Sequence, residues 1–208
     1  MRRLILSAAA TVALAAPVLG QAPAAAGGPN TWTVDTAHSS AGFSVKHMMV
    51  STVRGTLGPV KGTIEYDGKS VESIKAAITI DVNGINTGND SRDKDLKSGN
   101  GLFEVAKYPT VTFKSKRVVP SSAGTFKLVG DLTIHGVTKE VTLDVEGPSA
   151  PVKQPGPQGS RLRTGATATG TINRRDFGLS YNNVIEAGPV VGDEVKITID
   201  VEATKSGS

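Results

Sequence analysis

A chain of 208 residues without a single cysteine can form no disulfide, no thiolate metal site and no cysteine nucleophile. Its formal charge of +4 comes from Lys and Arg residues scattered among acids, with Arg2 and Arg3 supplying part of it at the extreme N-terminus. Nucleic acid calls for a clustered basic face, so no nucleic-acid partner is expected; a transient contact with an anionic membrane surface stays open.

Residues 1–26 read as a secretory signal peptide. Arg2 and Arg3 form its positive region, Leu4 to Ala16 its apolar run, and small residues follow from Pro17 to Gly28. The run is too short to span a bilayer. Cleavage is expected after Gly20 or Ala26, leaving a single domain over 27–208 of an exported protein. That length suffices for a sizeable core, and no later apolar stretch is long enough for a membrane-spanning helix.

Beyond the leader, apolar and polar residues alternate with period two, the mark of strands with one buried face. Ala41, Phe43 and Val45 share a face, as do Val60, Gly62, Ile64 and Tyr66. Met48–Val53 lacks the alternation and reads as a short helical turn. Ile74, Ala76, Ile78, Ile80 and Val82 oppose Ser73, Lys75, Thr79 and Asp81. Asn89–Ser98 is polar, starts with Asn and Asp, and stops before Gly99, which predicts a capped short helix; Leu102–Val105 is expected to add a further turn. Strands come next over Thr110–Val119, Thr125–Ile134 and Val137–Glu146, the last two joined by a tight hairpin through His135-Gly136. Gly147–Gly159, rich in Pro and Gly, reads as one surface loop. Arg163–Ile172 and Glu194–Glu202 bring the expected total to about eight strands. Such an all-β chain can be a two-sheet sandwich or a closed up-and-down barrel. Closure has the advantage of removing exposed strand edges.

Several strings, in order along the chain, resemble the YceI-like family: HSSAGFSVKH (His38–His47), TGNDSRD (Thr87–Asp93), YPTVTFKS (Tyr108–Ser115), LTIHGVTKEVTLDV (Leu132–Val145), RRDFGLSYN (Arg174–Asn182) and GDEVKITIDVEA (Gly192–Ala203). The resemblance spans Thr31 to about Lys205. It implies an eight-stranded antiparallel, extended lipocalin-like barrel with a short helical segment. It also implies a periplasmic protein with no established enzymatic activity, holding a polyisoprenoid such as a polyprenyl phosphate or a quinone in an apolar tunnel. Where the family runs from Arg-Asp-x-His-Leu into a Phe-Phe pair, this chain has RDKDLKSGNGLFEV (Arg92–Val105). Lys94-Asp95 stands in the histidine region, and Gly99 and Gly101 loosen the chain between the helix and Phe103.

An eight-stranded barrel is either filled by its own side chains or holds one small ligand. The inward faces mix bulk with Ala41, Gly62, Ala76, Gly130, Ala166, Ala168 and Gly170, and the chain has few aromatics. Small residues could serve only to bend the sheet; with the resemblance, a hollow interior is the preferred reading. The expected strand-borne lining is Phe43, Val45, Ile78, Ile80, Phe113, Leu132, Ile134, Ile197 and Ile199. Met48, Met49, Leu96, Phe103 and Phe177 are expected to line it from irregular segments, the methionines because thioethers adapt to irregular apolar partners. Arg92 is the candidate to meet a ligand phosphate at the mouth, with Asp90 and Asp93 capping and salt-bridging beside it. No cofactor is expected beyond a bound isoprenoid or other long-chain lipid, and a homodimer is admitted.

Chemistry has little footing in the sequence. His38 and His47 are nine residues apart, an odd spacing that puts them on opposite faces of a regular strand, and His135 is a turn residue. A metal site wants three or four converging ligands, so none is expected. There is no G-x-S-x-G elbow, and the chain is read as no enzyme. The competing readings are a ligand-free, stress-related structural barrel, a lipid-modifying enzyme with a hidden site, and an outer-membrane barrel; the last needs aromatic girdles that this chain lacks.

Overall fold

Strands that are apolar on one side must bury that side against another layer or against themselves. This chain takes the second course. The computed structural model describes residues 28–122, 124–156, 159–182, 184–185 and 188–206; the expected leader lies outside them. In chain order the strands are β1 (Thr31–Val34), β2 (Ser40–His47), β3 (Ser51–Thr56), β4 (Val60–Glu65), β5 (Lys75–Asp81), β6 (Thr110–Pro120), β7 (Thr125–Ile134), β8 (Val137–Glu146), β9 (Val152–Gln154), β10 (Arg161–Asn173), the short pair β11 (Val184–Ile185) and β12 (Gly188–Pro189), and β13 (Val191–Ser206). A helix, α1 (Asp90–Lys97), connects β5 to β6.

The sheet closes on itself. Neighbours run β1, β4, β5, β6, β7, β8, β10, β13, and β13 returns to β1. β2 extends β1 along the same edge of β13: Val34 faces Ala203 and Ser40 faces Asp200, with residues 35–39 between them. β3 and β4 share one line likewise, Gly42 facing Thr56 and Thr33 facing Thr63. The result is a closed antiparallel barrel of eight wall positions with one short helix. One end carries α1, the β2–β3 and β7–β8 hairpins, a 3-10 turn over Arg174–Phe177 and the start of β13; we call it the helical end.

Alternation decides what points inward. In β5, Ala76, Ile78 and Ile80 are buried while Lys75, Ala77 and Thr79 are exposed. Two inward phenylalanines lie against glycine on the next strand: a Cβ added at Gly55 would come within 2.7 Å of the Phe43 ring, and one at Gly130 within 2.5 Å of the Phe113 ring. Missing side chains thus let both rings lie along the wall instead of projecting across the lumen.

The structure departs from the sequence reading in four places. Met48–Val53 forms no helical turn. Met48 and Met49 are the left-handed centre of a tight hairpin (φ 50 and 57), closed by the Val50 N–H on the His47 carbonyl at 3.0 Å, and β3 starts at Ser51. The β2–β3 ladder, with Val45 opposite Val53, overrides the local pattern. Leu102–Val105 adds no turn to α1 but doubles back across its end: the Phe103 and Val105 N–H groups donate to the Leu96 and Lys97 carbonyls, each at 3.1 Å, satisfying acceptors that a helix terminus leaves open. Gly147–Gly159 contains β9, which pairs with β10. Finally, β1 and β3 were not expected, because four residues and a polar STVRGT string carry too little alternation to register. The predicted cap holds: Asn89 Oδ1 accepts from the Arg92 N–H at 2.9 Å.

Candidate functional site

The inward faces do not meet at the centre. They surround a cavity of about 640 Å³, within the range of about 300–1,000 Å³ typical of small-molecule sites. Its middle is lined by Ile78 and Ile80 from β5, Phe113 from β6, Leu128 and Leu132 from β7, Leu143 and Val145 from β8, Ala166 and Ala168 from β10, and Ile197 and Ile199 from β13. At the end away from the helix it reaches Trp32, Tyr66 and Ala203. Trp32 is almost wholly buried, and its indole N–H donates to the Tyr66 carbonyl at 3.0 Å.

Polarity is unevenly distributed. His47, Arg92, Asp95, Ser98, Asn100, Arg174 and Tyr181 all join the lining, and their elements place them at the helical end. At the far end Thr164 lines the cavity, but its hydroxyl is engaged with the Ser149 carbonyl at 2.7 Å. Buried polar groups need partners, and most polar groups at the helical end have protein ones. Arg92 donates through Nε to Thr87 Oγ1 at 2.7 Å and through Nη2 to the Thr87 carbonyl at 3.0 Å. Ser98 donates to the Asp95 carbonyl at 2.6 Å. Arg174, 5% exposed, donates to the carbonyls of Gly192, Leu179 and Val191 and to the Asp193 carboxylate. Burial pulls the Arg174 pKa down from its ordinary value, and the charge of Asp193 opposes that.

The structure brings Phe43, Val45, Ile78, Ile80, Leu96, Phe103, Phe113, Leu132, Ile134, Ile197, Ile199 and Arg92 to the cavity wall. Three expected lining residues stand elsewhere. Met48 and Met49 sit on the exposed β2–β3 hairpin tip, where the turn directs them outward. Phe177 is 2% exposed and packs in the core under the Arg174–Phe177 turn, so its bulk holds the wall and does not face the lumen. Asp90 and Asp93 make no ion pair with Arg92 among the described residues. Asp93 instead accepts from the Thr87 N–H and hydroxyl at 2.9 and 2.5 Å. Sequence reasoning missed Trp32, Leu128, Val141, Leu143 and Val145 as lining. The last four were legible, since they share inward faces with residues that alternation does identify. It also missed Arg174, for which an isolated Arg-Arg pair gives no signal of burial.

Two of the histidines, His135 and His38, serve local structure. His135 occupies the β7–β8 turn at φ 51, its ring against Tyr108 and its Nε2 3.3 Å from Glu104. His38, Asp35 and Glu202 converge on the outer wall, but the Arg163 guanidinium already lies between both carboxylates, 2.8 Å from Asp35. Arg163, and after it His38, lower the Asp35 pKa from 3.8 to about 2. A carboxyl depressed in the folded state stabilises above its unfolded pKa, and that contribution disappears as pH falls through the folded value. Thermal unfolding followed by circular dichroism should therefore show a melting temperature that declines from pH 4 to pH 2, and Arg163→Met should flatten that decline. An unchanged slope in the variant would remove Arg163 as its cause.

Comparison with known proteins places these features in context. A family model described as the YceI-like domain matches residues 32–203. The UPF0312 protein SAB2563 of Staphylococcus aureus (strain bovine RF122 / ET3-1) is 41% identical over 172 residues, 82% of this chain and 95% of its own. A YCEI protein of Campylobacter jejuni superposes with a TM-score of 0.63 at 30% identity, covering 78% of this chain and 90% of that one. A domain from Saccharophagus degradans, described as polyisoprenoid binding, superposes with a TM-score of 0.58 at 19% identity over 83% of this chain and 97% of its own.

Proposed function

From the premise that this chain belongs to the YceI-like family, we propose that it is an exported, non-enzymatic carrier or store of a long isoprenoid lipid, held tail-inward in the barrel. The observation that carries this reading is the one-sided polarity of the cavity: hydrocarbon-lined along its length, polar at the helical end. An amphiphile with one head and one long tail matches that gradient. Burying each methylene is worth about 0.8 kcal/mol, so ten carbons contribute about 8 kcal/mol before ordering costs, the scale of a micromolar complex. The lining can thus supply affinity by itself, leaving the polar end to choose the head. The polyisoprenoid-binding description of the Saccharophagus degradans domain supports the same ligand class, and the signal-like N-terminus supports periplasmic export.

Native extraction tests the proposal. Organic extracts of gently purified protein, read by mass spectrometry, should contain a prenyl lipid in near-stoichiometric amount. A chain that co-purifies with none, and takes up none when polyprenyl phosphate or quinone is added, would be a ligand-free barrel. The head preference has its own test. Arg92 has guanidinium capacity beyond its two bonds to Thr87, and a charge-assisted bond to phosphate is worth about 1.5–3 kcal/mol. Arg92→Ala should weaken polyprenyl phosphate by about tenfold or more and leave an uncharged quinone bound as before. Equal losses for the two ligands would assign Arg92 to structure alone.

A further inference from the structure

We infer that the β2–β3 hairpin tip, Met48-Met49-Val50, is a docking foot that enters the surface of an anionic phospholipid bilayer beside the cavity mouth. The inference rests on the lipid-holding function proposed above and assigns it a point of exchange with membrane.

The tip breaks a local rule without gain to the fold. A tight turn with two left-handed central residues ordinarily takes Asn-Gly; here both positions are methionine, at φ 50 and 57. Breaks of this kind in an otherwise consistent sequence concentrate at functional sites. The three side chains bury little: Met48, Met49 and Val50 are 38%, 58% and 86% exposed. Single exposed apolar residues are ordinary, but three in a row on a projecting turn form a patch.

Position and charge say what covers it. The Met48 N–H bonds the Val190 carbonyl at 2.9 Å, and both Val190 and the adjoining His47 line the cavity, so the tip stands on the rim of the mouth. Behind it, the outer face of the wall is basic. Lys196, Ser44 and Arg54 stand in one row across β13, β2 and β3, and Lys46 follows Ser44 on the same face toward the tip. The three cations are exposed and make no ion pair among the described residues. Glu194 shares that face of β13, which leaves the patch net positive. An apolar tip with a basic collar is the pattern of interfacial membrane binding. A stable protein interface needs about 800 Å² from each partner, more than three side chains on a turn present. A tail could pass from bilayer to cavity at this rim without crossing water.

The test uses protein expressed from the full 208-residue sequence. Flotation is measured with phosphatidylglycerol–phosphatidylethanolamine vesicles and with phosphatidylcholine vesicles. The chain has no cysteine, so Val50→Cys carries a single environment-sensitive dye. The expected result is flotation on the anionic vesicles, weakened by salt, with a blue shift of the dye. The double variant Met49→Ser, Val50→Ser should bind those vesicles about tenfold less, and Arg54→Glu, which leaves the turn and the cavity lining intact, should also weaken binding. Both should keep wild-type melting and wild-type uptake of polyprenyl phosphate from detergent, which separates failure of the foot from failure of the ligand assignment. Wild-type protein that does not float, variants that float equally, or a dye shift on concentrating the protein without vesicles (contact between copies) would overturn the inference.

Discussion

Arg174→Met should cost about 2–5 kcal/mol of stability, from about 1–3 kcal/mol for each buried carbonyl that loses its donor. The side chain is 6% exposed. Its Nε donates to the Gly192 carbonyl at 2.9 Å, Nη1 to the Leu179 carbonyl, and Nη2 to the Val191 carbonyl and Asp193 Oδ1 at 3.3 and 3.1 Å. Only a planar fork of donors reaches these acceptors at once. Methionine would refill the space and strip the guanidinium donors from the Gly192 and Leu179 carbonyls, while Val191 keeps the Asn182 amide at 3.1 Å; an orphaned buried acceptor costs more than the bond was worth. The same side chain ties the Arg174–Phe177 turn to β13. Just beyond that turn, the chain meets the loop after α1 through the Tyr181 N–H on the Gly101 carbonyl at 2.9 Å. Loss of Arg174 should therefore loosen the mouth as well as lower the urea midpoint. Arg175→Met is the control: it also contacts Asp193, at 2.7 Å, but is 48% exposed, and pairs of that kind contribute about 0–1 kcal/mol. Similar midpoints for the two variants would show that the buried network does not hold this end together.

How far the barrel could be read in advance depended on length. β7, β8, β10 and β13 each run ten residues or more, enough for the period of two to stand out, and their inward residues were legible one by one. β1 and β3 were not, because a short or polar strand is specified by its neighbours' ladders and not by its own pattern. The same competition explains Met48 and Met49: adaptable apolar residues next to a strand read as lining, yet the register of β2 with β3 places them in the turn. Closure was the least visible feature. It depends on β13 meeting both β10 and the line of β1 and β2, and no single segment encodes that pairing. The polar end of the cavity was half legible. Arg92 follows an N-cap signal that anchors its helix, whereas Arg174 owes its burial to carbonyls contributed by β13 and by the chain after its own turn.

A bulky residue in the middle of the lumen should abolish lipid binding while leaving the barrel folded. Ala168 faces inward on β10, opposite Val145 on β8 and Ile199 on β13, and lines the cavity. In Ala168→Trp the indole would occupy space that a tail must cross. If it excludes about five carbons at about 0.8 kcal/mol each, the loss is about 4 kcal/mol, or about a thousandfold in affinity for a long prenyl chain. Stability of the ligand-free protein should hold or rise, because a ring entering an apolar void gains contacts that the empty wall lacks. Short prenyl chains that stop at the helical end should lose less than long ones, which reports the depth of the obstruction. The neighbouring Thr167, whose hydroxyl bonds Asp200 at 2.8 Å on the outer face, supplies the comparison: Thr167→Trp adds the same ring outside and should leave binding unchanged. The two variants differ only in which side of the wall receives the indole, so a gap between them measures the lumen directly. Full lipid retention in Ala168→Trp would mean that the ligand lies somewhere other than the barrel interior.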